Sequence, residues 1–459
     1  MNKFYGLKSS QDFVGMWQAS SDPENVIPGV LKYDPENGIE LHLEGEFKGH
    51  EFDVIYGIAS GIGITLVDCF STSWSGAYNL EGVYSPSKII VNKAIVGKRV
   101  EDLSDVVIEE VIIETSDIKI WSNISGFDRR KYAESIGSNS FELSFTLPEP
   151  FLFYSDDNVR IELCDVLDLP KDFPYSEKVT FSERNFFKIT NVSKLKGSFY
   201  EGHLDAIRKF LSLAARSEVD CKYIKLKFED DGSYVSVLNR LVDVSLDYKS
   251  QSYRVHNMFF TLPLQEGKID DLYRSWFDFY QRSPESLNLY FGKSKGWLHD
   301  IFVTKAQAIE EVHRQVNTGT NKWGFKSRVC ASFNRFGRVM SFVGDRDCFS
   351  DLVTDHRDYF SHWFEKKRDV VFSGVELDYL ARDVNLLLEM MLLGVMGFND
   401  EEIMNMVENC FEYNNYLGIN MQENSVASVG RMRWEKEQPL ETETETETET
   451  ETETETETE

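Results

Sequence analysis

The chain has 459 residues, a formal net charge of −28 and 41% hydrophobic residues. This length corresponds to about two to four domains, and the apolar content excludes a chain that is disordered throughout. The strong acidic balance argues against a protein that coats nucleic acid without specificity, although it leaves room for a local basic pocket.

The first part of the chain, residues 1–130, has the pattern of a β-rich region. Short alternating or apolar runs cover residues 38–47, 52–59 and 64–70, and turn-forming residues separate them. Residues 106–121 are rich in β-branched side chains, which favour a pleated surface over a helix. Strands of this length and spacing predict sandwich-like sheets or one strongly curved sheet.

The second part, residues 131–300, continues the β-rich pattern but also contains helices. Its clearest strands are predicted at residues 141–155, 185–194 and 223–236. Residues 203–216 instead place apolar side chains at i, i+3, i+4 and i+7, which predicts one amphipathic helix. A second helix is predicted over residues 269–283, where an early aspartate can cap the first turn.

Near residue 300 the spacing of apolar side chains changes from the alternation typical of strands to the spacing typical of helices. No proline occurs between Pro284 and Pro439, as expected for long uninterrupted helices. Five helices are predicted, over residues 305–316, 325–343, 347–367, 374–397 and 400–415. Their short connections indicate an all-α bundle over residues 301–420. The fold class is therefore α+β and multidomain, with a β-rich N-terminal region followed by a helical bundle.

The C-terminal segment, residues 421–459, ends in a Glu–Thr repeat that holds ten glutamates. Such a repeat repels itself and has no apolar side chains to bury, so we predict that this tail is disordered. Without the ten glutamates the chain keeps 67 acidic and 49 basic residues. The folded part is therefore still acidic.

Several familiar motifs are absent or incomplete. Gly57, Gly61 and Gly63 resemble a dinucleotide-binding loop, but Leu66 stands where its third glycine belongs, which predicts a hairpin turn. The six cysteines are scattered and form no C-x-x-C pair, which predicts reduced thiols in a cytosolic protein and no zinc ribbon. No secretory signal or membrane span is expected, and no metal or cofactor is predicted.

One pair of residues in the helical part has catalytic potential. Arg357 and His362 lie five residues apart inside a predicted helix. On a helix this spacing separates two side chains by about 140° around the axis and about 7.5 Å along it. Two side chains so placed reach one phosphate only if the helix ends or bends between them, or if two copies of the chain meet. Alternatively, both simply face solvent and pair with Asp355 or Asp358.

The chemistry of these two residue types suits RNA cleavage without a metal. Histidine transfers protons near neutral pH, so His362 can take the proton from the ribose 2′-OH or give one to the leaving 5′ oxygen. Arginine stays charged and presents a planar fork to phosphate oxygens, so Arg357 can stabilise the extra charge of the phosphorane. Cleavage by this route leaves a 2′,3′-cyclic phosphate and a 5′-OH.

Taken together, these segments resemble ApeA-type proteins of bacterial antiviral defence, which join a β-rich N-terminal region to a C-terminal HEPN ribonuclease domain. The likeness covers roughly residues 10–420, and its most specific part is DLVTDHRDYFSHW, the counterpart of the catalytic helix. Further segments that carry it are GMWQASSDPENVIPGVLKYDPENGIELHLEG, YGIASGIGITLVDCF, LYRSWFDFYQRSPESLNLYF and AIEEVHRQ.

The resemblance implies a function and an assembly. Arg357 and His362 of two copies would line one cleft in a homodimer, and Asp358 would join the catalytic set where the family often has asparagine. The enzyme would be restrained in healthy cells by its N-terminal region. When triggered, for example by a phage protein, it would cut host RNA, with transfer RNA as the favoured substrate, and stop translation.

Other residues are candidates for supporting roles. Glu310 and Glu311, on the preceding helix, and His356, next to the arginine, are candidates to support the site. Lys366, Lys367 and Arg368 follow His362 and are candidates to steer an RNA backbone, although a solvated helix end explains them equally well.

A rival interpretation assigns no catalysis to the helical bundle. The bundle would then only join two copies of the chain, and the β-rich region would be the working surface of a sensor that binds a protein or a small ligand. Substitution of Arg357 or His362 distinguishes the two interpretations.

Overall fold

The computed structural model describes residues 7, 9–72, 87–116, 118–128, 143–168, 180–230, 232–239, 255–292, 297–317, 319, 322–363, 367–368 and 371–417. Within these residues, strands occupy residues 11–239 and the C-terminal helices residues 262–417. The predicted order of a β-rich region before a helical region is confirmed. The tail predicted to be disordered, residues 421–459, lies outside the described residues.

The first six strands close a barrel. They are β1 (Gln11–Ala19), β2 (Val26–Asp34), β3 (Gly38–Leu43), β4 (Glu51–Ala59), β5 (Ile62–Ser71) and β6 (Ser87–Val96). Their order is β3-β2-β1-β4-β5-β6, all pairs are antiparallel, and β3 also pairs with β6. Alternate side chains such as Phe13 and Trp17 point into the barrel and are buried. The strongly curved sheet that the sequence predicted is thus present as a closed barrel.

The glycines of the incomplete dinucleotide motif have structural roles in this barrel. Ser60 and Gly61 join β4 to β5 with φ angles of 50° and 78°, as in a two-residue hairpin turn, so the predicted turn is confirmed. Gly57 lies opposite Trp17, and a Cβ added there would be 2.2 Å from the indole ring. The segment is therefore shaped by backbone geometry rather than by phosphate binding.

The sheet continues beyond the barrel through β6. Residues 87–91 of β6 pair with β3, whereas residues 93–96 pair with a strand of the second half. The remaining strands are β7 (Ile108–Thr115), β8 (Phe151–Ser155), β9 (Val159–Asp168), β10 (Ser182–Asn191), β11 (Cys221–Phe228) and β12 (Tyr234–Asn239). They extend the sheet in the order β12-β11-β7-β10-β9-β8. Strands from both sides of residue 130 therefore belong to one sheet. The domain boundary proposed at residue 130 stays a prediction.

Two predicted strands are shorter in the structure. The strand predicted to run to residue 121 ends at Thr115, and Ile118–Ser122 forms a short helix, α1, that buries Trp121. In the segment predicted as a strand over residues 141–155, the described residues 143–155 contain one strand, β8, and an isolated bridge from Phe145 to Phe127. Pro148 and Pro150 precede β8 and have no N–H to donate to a neighbouring strand.

Three helices cover the second half of the sheet or lead away from it: α2 (Tyr200–Ala215), α3 (Leu262–Gln265) and α4 (Ile269–Arg282). Helix α2 is amphipathic, as predicted, and packs between β7 and α4. An aromatic cluster with edge-to-face contacts fills the space between them and contains Trp121, Phe153, Phe187, Phe210 and Tyr273. This cluster joins the β-rich region to α4 of the C-terminal part, through Tyr273.

The remaining helices form the predicted bundle. They are α5 (Pro284–Phe291), α6 (Leu298–Val316), α7 (Phe325–Arg335), α8 (Gly337–Met340), α9 (Arg346–His362), α10 (Val375–Met396), α11 (Asp400–Asn409) and α12 (Phe411–Leu417). Helix α6 lies at the centre and contacts α5, α7, α9 and α10. The helix predicted over residues 325–343 is split at Phe336, next to a glycine, which weakens a helix. None of the helices in the described ranges has the length and apolar character needed to cross a bilayer.

A buried charged pair links the two regions. Arg216 ends α2 in the left-handed conformation, with φ 49°, and its Nε lies 3.6 Å from Glu389 Oε2 on α10. The guanidinium also lies over the ring of Tyr413, 4.1 Å from its centroid. Glu389 accepts hydrogen bonds from the hydroxyls of Tyr290 (2.8 Å) and Tyr413 (2.6 Å). Both charged side chains are almost completely buried, so the junction depends on their pairing.

Candidate active site

Helix α9 carries the Arg–His pair and has well-defined ends. At its start, the carboxylate of Asp345 accepts hydrogen bonds from the N–H groups of Asp347 and Cys348, both 2.9 Å long. At its end, Trp363 adopts φ 51° and its N–H bonds to the carbonyl of Tyr359. The helix therefore begins one residue before its predicted start and ends five residues before its predicted end, and His362 is its last residue.

Arg357 is held from three sides. Its Nη2 donates to Glu310 Oε2 on α6 over 3.0 Å, and its Nη1 lies 3.4 Å from Asp358 Oδ1. The ring of Phe325, at the start of α7, lies under the guanidinium, 4.9 Å from its centre. The side chain is 26% exposed, and its buried Nε has no hydrogen-bond partner among the described residues. These contacts fix the orientation of the guanidinium, and the Nε–H group is a donor without an acceptor among the described residues.

Of the two predicted supporting glutamates, only Glu310 contacts the arginine. Glu310 also pairs with Arg314 one turn later on its own helix, 3.0 Å away. Glu311 pairs with Arg314 and accepts a 2.8 Å hydrogen bond from Gln315, both within α6. The two adjacent carboxylates therefore have different surroundings, and of the two only Glu310 pairs with a residue of the Arg–His helix.

Asp355 and Asp358 on α9 share the ammonium of Lys367, which follows the helix in the chain. Lys367 Nζ lies 2.9 Å from Asp358 Oδ2 and 2.9 Å from Asp355 Oδ1. Burial lowers the pKa of Lys367, but the hydrogen bonds to the two carboxylates outweigh it and raise the pKa above its ordinary value. Its ammonium is thus already shared by two acids, and the steering role predicted for it stays untested. Arg368 is exposed, and Lys366 lies outside the described residues.

His356 is a structural residue. It is completely buried, its Nδ1 lies 2.7 Å from the carbonyl of Leu352, and its Nε2 lies 2.7 Å from the N–H of Phe372. A carbonyl only accepts and an N–H only donates, so the ring is neutral with its proton on Nδ1. Both nitrogens are satisfied, and none is left for a substrate.

His362 occupies a contrasting position. It is exposed at the C-terminal end of α9, where the helix stops. The helix is continuous from Arg346 to His362, so there is no break between Arg357 and His362. Regular helix geometry therefore keeps the two side chains about 140° apart around the axis. The alternative in which a bend brings both residues of one copy together is wrong.

Sequence reasoning missed several contacts in this region. Nothing in the local sequence indicated that Phe325 lies beneath the arginine, since the two residues belong to different helices. Asp355 lies one helical turn before Asp358, and both carboxylates bind Lys367. Two acidic residues at this spacing lie on the same face of a helix, so the sequence did indicate that one cation could pair with both. No group of three or more His, Cys, Asp or Glu side chains is arranged to hold a metal ion within the described ranges.

The structure thus defines a class of protein in which a β-rich region with a barrel precedes a helical bundle that presents an Arg–His pair on one helix. Residues 12–276 match the family model of ApeA N-terminal domain 1, and residues 284–402 match that of the Apea-like HEPN domain. The chain belongs to the ApeA family and has a C-terminal HEPN domain, so the resemblance in the sequence is confirmed. It is a defence protein of the HEPN nuclease type. No curated protein and no solved structure matches it significantly.

Proposed function

We propose that this chain is a metal-independent endoribonuclease whose active site forms between two copies. The observation that carries the proposal is the unbroken helix with Arg357 and His362 on different faces, inside the region that matches the HEPN family. One helix cannot direct both side chains at a single phosphate. A twofold axis beside α9 would bring the arginine of one copy to the histidine of the other.

The surroundings of each residue suit its proposed role. Glu310 and Phe325 restrict the guanidinium of Arg357, so little reorganisation is needed when charge develops on the phosphorane. His362 is exposed at the helix end and accessible to a second copy or to RNA. It would take the proton of the 2′-OH or protonate the leaving 5′ oxygen. Asp358 would hold the arginine and Lys367 rather than transfer a proton.

The cellular role follows from the family. We propose that the β-rich region restrains the nuclease, that a phage protein releases this restraint, and that host RNA is then cut, with transfer RNA as the favoured substrate. The protein would act in the cytoplasm as a homodimer. The buried junction at Arg216 and Glu389 gives the β-rich region a direct contact with the bundle through which restraint can act.

The decisive experiment compares the purified wild type with Arg357→Ala and His362→Ala on total RNA with EDTA present. Each substitution is expected to reduce cleavage by at least about 100-fold, because His362→Ala removes a proton-transfer group and Arg357→Ala removes the cation that stabilises the charge of the phosphorane. Arg382→Ala is the matched control, since this exposed arginine pairs with Asp378 one turn earlier on its own helix, α10. The fragments should carry 2′,3′-cyclic phosphates and 5′-OH ends, and 5′-phosphates would contradict the mechanism.

A complementation experiment tests the two-copy site. The Arg357→Ala and His362→Ala chains are co-expressed with different tags, and mixed dimers are purified through both. A mixed dimer keeps one intact arginine and one intact histidine on opposite copies, so partial activity is expected. No activity in mixed dimers would contradict a site that needs only the arginine of one copy and the histidine of the other. If neither variant loses activity or protection from phage, the non-catalytic interpretation replaces this proposal.

A further inference from the structure

Trp363 has an unusual backbone conformation for a bulky residue. Its φ and ψ angles of 51° and 43° lie in the left-handed region, where a helix normally ends with glycine or asparagine. Among the described residues with positive φ it is the one aromatic. A strained conformation of this kind persists only where the surrounding structure maintains it, and such residues concentrate at functional sites.

The indole is nevertheless largely exposed. The residue is 62% accessible to solvent, and its ring meets its neighbours edge to face rather than in parallel. Tyr359 lies 5.6 Å away at 63°, and His299 lies 6.2 Å away at 71°. His299 in turn stacks on Phe360, 5.3 Å away at 25°. The supporting rings fix the indole in place and leave much of its surface open.

The position of this indole in the chain connects it with the chemistry of the proposed site. Trp363 directly follows His362, and the exposed Arg368 lies a few residues beyond. Exposed aromatic rings are a common means of holding unpaired nucleotides, because every base has a flat face that stacks.

We propose that Trp363 stacks on the base of the nucleotide next to the scissile phosphate and so places that phosphate at His362. This inference rests on the proposed ribonuclease function and specifies its substrate. The nucleotide must be unpaired for its base to reach the indole, so loops and single strands are the substrates cut. A base-paired stem of the same sequence is not cut.

The test uses Trp363→Gly, Trp363→Tyr and the control Phe411→Ala in the full-length protein. Glycine removes the indole but suits the left-handed conformation, so the thermal midpoint should stay close to that of the wild type. The KM for a single-stranded RNA should rise about 10- to 100-fold, as expected for the loss of one stacked base. Tyrosine should restore most of the affinity. Phe411 is also exposed, at the start of α12, and its removal should leave KM unchanged.

A second measurement separates this inference from the ribonuclease proposal. Binding of a dye-labelled single-stranded RNA is measured by anisotropy in the inactive His362→Ala background, with and without Trp363→Gly. Weaker binding with an unchanged dimer mass supports base stacking. An unchanged Kd and KM would overturn the stacking proposal. A Trp363→Gly protein that becomes monomeric would overturn it as well, because the indole would then be a contact between the two copies. Cleavage by His362→Ala at the wild-type rate would instead refute the ribonuclease proposal itself.

Discussion

Replacement of Arg216 by methionine should strongly destabilise the protein. The substitution keeps an unbranched side chain but removes the cation that lies 3.6 Å from Glu389 Oε2. The two side chains are 1% and 0% exposed, so water cannot compensate the carboxylate that remains. Removal of one partner from a buried ion pair costs about 3–5 kcal/mol. Loss of the contact with the ring of Tyr413 acts in the same direction.

The carboxylate does keep some hydrogen bonds. Glu389 still accepts from the hydroxyls of Tyr290 and Tyr413 and from the amide of Asn385, 2.9 Å away. These neutral donors satisfy its oxygens without cancelling its charge, so the lower end of the range, about 3 kcal/mol, is expected. The exposed pair of Arg382 and Asp378 provides the control, where the same change to methionine should cost less than about 1 kcal/mol.

Urea unfolding, followed by far-ultraviolet circular dichroism under reducing conditions, measures this difference. The midpoint should fall for Arg216→Met with little change in slope, because the surface exposed on unfolding is similar. A double-mutant cycle with Glu389→Gln should give a coupling energy of about 0.5–3 kcal/mol. A cost below about 1 kcal/mol for Arg216→Met, equal to that of the exposed control, would refute the idea that this pair stabilises the junction.

Two further predictions concern the candidate site and the core. Glu310→Gln should lower kcat by about 10- to 100-fold with a smaller change in KM, because Arg357 loses its orienting carboxylate, whereas Glu311→Gln should behave as the wild type in the same cleavage assay. Burial lowers the pKa of His203 to about 4, partly opposed by Asp156. The unfolded chain therefore binds a proton that the folded chain does not, and stability should fall as pH drops from about 6.5 towards 4, by about 3 kcal/mol. Urea midpoints at about pH 7.5 and about pH 5 should show a smaller difference for His203→Phe than for the wild type.

The sequence predicted those elements whose signals are local. Apolar side chains at helical spacing located α2 and α4 to within three residues, and alternation located β4 and β5. The bundle helices were located less closely, since α6 begins seven residues before its predicted start and α9 ends five residues before its predicted end. The glycine pattern indicated the hairpin at Gly61, since a two-residue turn needs positive φ. The pair of Arg357 and His362 was also found from the sequence, because its spacing and residue types lie within one segment.

Only the tertiary structure decided what these elements do together. Closure of the barrel and continuation of the sheet both depend on β6, whose two halves pair with strands far apart in the chain. The contact of Glu310 with Arg357 spans 47 residues, and no local pattern distinguishes Glu310 from Glu311. The sequence alone does not distinguish the histidines at positions 356 and 362. In the fold, His356 is buried with both ring nitrogens hydrogen-bonded, whereas His362 is exposed. Periodicity reports which face of a segment is apolar, whereas partners across the fold are set by how those faces pack.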